Sequence, residues 1–182
     1  MRPHPSSGFT LPEFAAAVAI IGIFAAIAST VGNGTVYAAG AAEARAALLD
    51  TYQSAIRHAA TRGVHVVACP LSPAGGCLDG IDWTGGWVVF EDGDGDRDLG
   101  ASERVVRTWP PLADRVRLRS TLGRKRLIFQ PSGGNAGSNV TFTLCDGRGP
   151  ARASRLVLSN TGKLRESAAD AISASTCVDS AE

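Results

Sequence analysis

Between Glu13 and Glu43 the sequence has no charged residue at all. Inside that gap, FAAAVAIIGIFAAIASTV from Phe14 to Val31 is almost wholly apolar. An apolar run of about 18 residues is long enough to read as a membrane-spanning helix. A core helix of a small domain would carry a polar face, and this run has none. Catalytic signatures are missing too. There is no GxSxG, HExxH or P-loop, so the sequence predicts no enzyme. No CxxC pair occurs, and His4, His58 and His65 complete no zinc-ligand spacing with the cysteines, which argues against a zinc site. No internal repeat is present.

Four cysteines are present, all beyond the apolar run: Cys69, Cys77, Cys145 and Cys177. An even count after a targeting segment favours two disulfides, and three pairings exist. Cys69 and Cys77 enclose only PLSPAGG, a turn-rich loop that costs little entropy to close. Pairing them leaves Cys145 with Cys177, a bridge that would tie the C-terminal tail to the last strands.

With 182 residues, the chain suits one ordinary domain plus an appendage. Its net charge of +1 conceals strong segregation. Residues 79–103 hold eight acidic groups against Arg97, whereas residues 104–165 hold thirteen basic groups against Asp114 and Asp146. A basic segment flanked by acidic ones suggests an anionic partner without naming it.

Beyond Val31, Gly32, Gly34 and Gly40 are expected to loosen the helix, at roughly 1 kcal/mol each relative to Ala. Tyr37, Ala41, Ala44, Leu48, Tyr52, Ala55 and Ala59 then recur at spacings of three and four, one helical stripe, and Gly63 is a natural stop. A single helix over 10–62 would be about 80 Å long. From Val64 onward the runs are strand-like: 64–69, 87–90, 104–109, 115–119, 126–129, 140–145, 155–159 and 163–166, separated by Gly, Pro, Ser and Asp. Asn160-Thr161-Gly162 suits a tight hairpin between the last two. Only the Ala/Ser-rich tail before Cys177 suggests a disordered linker. The fold class is α+β: a long N-terminal helix, its first half transmembrane, packed on an antiparallel β-sheet or β-sandwich domain with two disulfides.

Ahead of the apolar run stands MRPHPSSG, short and polar, whereas a secretory signal has its apolar region before the cleavage site. Gly8-Phe9-Thr10-Leu11-Pro12-Glu13 resembles the processing motif of type IV pilins and type II secretion pseudopilins. That resemblance implies cleavage by a prepilin peptidase between Gly8 and Phe9, methylation of Phe9, and a leader over 1–8. Pro12 departs from the usual branched apolar residue, but a proline in the first turn lacks only an N–H that has no partner there anyway. A carboxylate near the membrane is costly unless paired. The resemblance implies that Glu13 meets the Phe9 amine of a neighbouring subunit; the alternative is a headgroup position with no partner.

Further stretches resemble the FimT/GspH minor pilins and pseudopilins in particular. They are Cys69-Pro70 with Cys77, Asp82-Trp83, Gly86-Trp87-Val88-Val89-Phe90, Cys145-Asp146-Gly147-Arg148-Gly149, and Leu158 to Arg165. The resemblance implies a filament-core helix over 9–33 and a periplasmic or extracellular pilin domain over 34–182. It also implies a single-pass inner-membrane protein whose partners are other pilins or pseudopilins. FimT-type members bind DNA through a Gly-Arg-x-Arg motif, matched here by Gly162-Lys163-Leu164-Arg165, with Lys in place of the first Arg.

In a strand, Lys163 and Arg165 share a face, and Arg148, Arg152 and Arg155 would complete a phosphate-contacting patch. Few aromatics accompany these cations, so the expected ligand is double-stranded DNA without sequence preference. A solvated face, or one complementary to an acidic filament neighbour, is the alternative. Arg115, Arg117 and Arg119 alternate and would share one exposed face, followed by Arg124-Lys125-Arg126 in a turn. Asp92, Asp94, Asp96 and Glu103 fall at positions 1, 3, 5 and 12 of an EF-hand-like calcium loop, with Arg97 where the loop needs Gly. A solvated acidic hairpin is the alternative. The resemblance implies a minor type IV pilin, with a type II secretion pseudopilin as one alternative and a calcium-stabilised structural subunit as another.

Overall fold

The computed structural model describes residues 10–137, 139–160 and 163–179, with the backbone alone at 27–31 and 33. The chain forms two compact units, Met1–Val36 and Tyr37–Glu182. Helix α1 runs from Leu11 to Arg62. In the first unit Thr10 precedes the helix, and its N–H and hydroxyl both donate to Glu13 Oε2, at 2.9 and 2.7 Å. A glutamate at the third helical position thus closes the first turn, as in a capping box. Leu11, Phe14, Ile21 and Phe24 are exposed. The predicted membrane-spanning run includes positions 27–31, and among the described residues no helix is long and apolar enough to cross a membrane.

In the second unit the predicted stripe is the buried edge of the helix: Ala41, Ala44, Leu48, Tyr52, Ala55 and Ala59 are all buried. The helix does not loosen at Gly40. A Cβ there would lie 3.0 Å from Val116 Cγ2 and 3.2 Å from Ala113 Cβ, so glycine admits the 113–116 loop against the helix.

Among the described residues, eight strands form two antiparallel sheets. The first has β1 (His65–Pro70), β2 (Trp87–Asp92), β3 (Arg104–Trp109) and β5 (Leu127–Phe129), in the order β3-β2-β1-β5. The second has β4 (Arg117–Ser120), β6 (Val140–Cys145), β7 (Ser154–Leu158) and β8 (Leu164–Ala168), in the order β4-β6-β7-β8. Inner residues of both sheets, among them Val66, Trp87, Leu118, Phe142 and Leu156, join the buried stripe of α1 in one core. Both indole donors in it are paired: Trp87 Nε1–H donates to Thr51 Oγ1 at 2.7 Å, and Trp83 Nε1–H to Ser120 Oγ at 3.2 Å. Trp87 stacks on Trp109, with ring centroids 5.8 Å apart. The outer face of the first sheet has its own small core of Val67, Cys69, Val88 and Phe90, against which Leu71, Cys77 and Leu99 pack.

Both predicted disulfides form, Cys69–Cys77 and Cys145–Cys177. The tail before Cys177 is not a linker but helix α2, Ala171–Asp179. Asp170 caps it, its carboxylate accepting the backbone N–H of Ser173 at 2.9 Å and the Ser173 hydroxyl at 2.8 Å. Those bonds hold the Asp170 carboxyl below the ordinary range. Cys177 and Ala174 bury against Cys145 and Ala153, so the disulfide staples α2 to the second sheet.

Candidate anion-binding face

The second sheet presents its inner residues to the core and its alternate residues outward. Register places Arg119 opposite Thr143, Thr143 opposite Arg155, and Arg155 opposite Ser167. In the next row Thr141 faces Val157, and Val157 faces Arg165. Arg155 and Arg165 are therefore diagonal neighbours on one outer face. Ser159 N–H donates to the Lys163 carbonyl at 2.9 Å, continuing the register past the strand ends and placing Lys163 on that face as well. Leu164, between the two cations, packs against the core, as the alternation predicts. Arg152 is exposed on the 3-10 turn Pro150–Arg152 that leads into β7. Thr161 and Gly162, the rest of the predicted motif, lie outside the described residues.

Arg152, Arg155, Lys163 and Arg165 are exposed and, among the described residues, form no ion pair. The other cations of the basic segment are mostly matched. Arg107 meets Asp50 at 2.6 Å and lies over the Trp109 ring. Lys125 meets Asp79 at 2.8 Å, and Arg126 meets Asp98 at 3.4 Å. Arg124 donates to the Ala136 carbonyl. The predicted basic turn is therefore a bracket for acidic loops rather than an open anion site.

Arg148 leaves the predicted patch. Its guanidinium grips Asp146, Nε to Oδ1 at 2.9 Å and Nη2 to Oδ2 at 2.6 Å. Two residues apart across a tight turn, the pair neutralises itself, and sequence alternation cannot reveal this. Nor do Arg115, Arg117 and Arg119 share one exposed face. Arg115 precedes the strand with a φ of 60°, while Arg117 and Arg119 are half-buried. Arg119 Nη1 donates to the Thr176 carbonyl of α2 at 3.2 Å. The unforeseen helix α2 explains the difference. A groove of about 360 Å3 remains beside it, lined by Arg119, Leu122, Thr143, Arg155, Asp170 and Ile172 among others.

The acidic loop joins β2 to β3, so no helices flank it. Carboxylate oxygens of Asp92, Asp94, Asp96 and Glu103 all lie within 4.8 Å of one another, the one such set among the described residues. Arg97, at the position where the calcium loop needs Gly, has a φ of 66°. The carboxylates are already engaged by backbone N–H groups: Asp92 by Gly95, Asp96 by Asp98, and Glu103 by Gly100. At the N-terminus, Gly8 and Phe9 lie outside the described residues, and Glu13 is bonded to Thr10 of its own chain.

An N-terminal helix packed through its second half on two antiparallel sheets, stapled at Cys69–Cys77 and Cys145–Cys177, defines a pilin-like subunit. Residues 44–162 match the family model described as type II transport protein GspH, and the chain belongs to that family. Among solved structures, the type IV minor pilin FimU of Pseudomonas aeruginosa is 16% identical, with a TM-score of 0.50, over 80% of this chain and 94% of that one. The minor pseudopilin EpsH of the Vibrio cholerae type 2 secretion system is 14% identical, with a TM-score of 0.48, over 70% and 96%. No curated protein matches the chain. Membership makes it a GspH-type protein, and the likeness to FimU is one of fold.

Proposed function

We propose that the protein is a minor subunit of a type IV pilus that binds double-stranded DNA through the outer face of its second sheet. The observation that carries the reading is the contrast among its cations. Arg107, Lys125, Arg126 and Arg148 are matched by carboxylates, while Arg152, Arg155, Lys163 and Arg165 stay exposed without an ion pair among the described residues. Such a face suits a phosphate backbone and offers no aromatic platform for bases.

In this reading the prepilin peptidase cuts between Gly8 and Phe9, and Phe9 is methylated. Residues 9–33 hold the subunit in the inner membrane, with the following domain in the periplasm, until the filament takes it up. The charge-free stretch between Glu13 and Glu43 supports that placement. The role is structural and adhesive rather than catalytic. A type II secretion pseudopilin is the second reading, favoured by the description of the matching family. Deleting the gene separates the two. Loss of DNA uptake with intact protein secretion supports the first reading, and the converse supports the second.

A further inference from the structure

The cationic hairpin between β7 and β8 is held by the loop that leads into β6 and by α1. Asn160, at its tip, has both backbone groups engaged by the loop after β5. Its N–H donates to Asn139 Oδ1 at 3.2 Å, and its carbonyl accepts from Asn135 N–H at 3.4 Å. That loop is itself fixed to the first sheet, Ala136 N–H donating to the Ile128 carbonyl at 2.7 Å and Phe129 bridging Asn135. Further down, Glu166 of β8 pairs with Arg45 of α1 at 2.5 Å. Lys163 and Arg165 lie between these two anchors. Neither Asn139 nor Asn160 has a buried side chain that core packing would demand.

We propose that Asn139 is a positioning residue for the DNA-binding face, holding the hairpin tip so that Lys163 and Arg165 are ordered before a phosphate arrives. The inference rests on the DNA reading above. A tip left loose must be ordered on binding, which lowers affinity, while the number of phosphates contacted stays the same.

The test uses the full chain in neutral-detergent micelles, as wild type, Asn139→Ala and Asn139→Asp, with a duplex of random sequence as the probe. Asn139→Ala is expected to speed exchange of the Asn160 amide and weaken binding about three- to tenfold, with the salt slope unchanged. Asn139→Asp, which keeps the acceptor, should restore slow exchange. Unchanged Asn160 exchange in Asn139→Ala overturns the clamp, and affinity lost while that exchange stays unchanged makes Asn139 a contact rather than a positioning residue. If wild type binds no duplex while the exchange result holds, the DNA reading has failed and the clamp has not.

Discussion

Asp146 receives Arg148 through both of its oxygens, at 2.9 and 2.6 Å, and its own side chain is almost fully buried. Burial pushes the Asp146 carboxyl up, but the Arg148 guanidinium and backbone N–H outweigh it and hold the group below the ordinary aspartate range. The pair fixes the turn between β6 and the 3-10 segment that carries Arg152, while removing Arg148 itself from the cationic face.

A group depressed in this way stabilises the fold above its unfolded pKa, about 3.9, and that contribution is lost as pH falls through the lower folded value. Asp146→Asn should therefore cost about 2 kcal/mol at pH 7, with the gap to wild type closing as pH falls below the unfolded value and through the lower folded one. Denaturant titrations across that pH range check it. An undiminished gap in acid would remove the charge from the explanation.

Thr51 serves two partners inside the core. Its hydroxyl donates to the Ala47 carbonyl at 2.7 Å and accepts from Trp87 Nε1–H at 2.7 Å. Thr51→Val keeps the shape and orphans the indole donor, so a loss of about 1–3 kcal/mol is expected. Calorimetry would show it, alongside altered Trp fluorescence.

The two disulfides should differ in worth. Cys145–Cys177 closes a separation of 32 residues and Cys69–Cys77 one of 8. On chain entropy alone, removal costs about 3.7 kcal/mol for the first and about 2.6 for the second. Paired Cys→Ala variants measured in denaturant test the order. Losing the longer bridge should also release α2 and expose Arg117 and Arg119.

Gly86 begins the Gly-Trp-Val-Val-Phe run with a φ of 93°, and a Cβ there would stand 2.5 Å from the Trp109 carbonyl oxygen. Gly86→Ala meets both a disfavoured backbone and a backbone clash, so a loss of at least about 2 kcal/mol is expected. Shifted thermal unfolding of the purified variant is the readout.

Much of this architecture is legible in the sequence because its periodicities are clean. RVVRTW and VTFTLC are strands over their predicted bounds, and the stripe from Ala41 to Ala59 is the buried helical edge. The short loop between Cys69 and Cys77 made that disulfide predictable. Helix α2 was hidden because Ala and Ser are ambiguous there, and its stability comes from the Cys177 staple and burial of Ala174. The one local signal was Asp170 three residues before Ser173, an N-cap pattern. Missing α2 made the Arg115–Arg119 run look exposed. The Arg148–Asp146 pair, closed across a turn, obeys no strand or helix period. Alternation did place Lys163 and Arg165 on one face, because β7 supplies a register that fixes it.

The central claim is that this face binds DNA by charge. The most direct measurement is a duplex titration of the full chain in neutral detergent at two salt concentrations, comparing wild type with Lys163→Ala/Arg165→Ala. Binding that weakens with salt, and falls with a shallower salt slope by about two in the double variant, is the predicted result. No binding at low salt, or equal binding by both proteins, would contradict it.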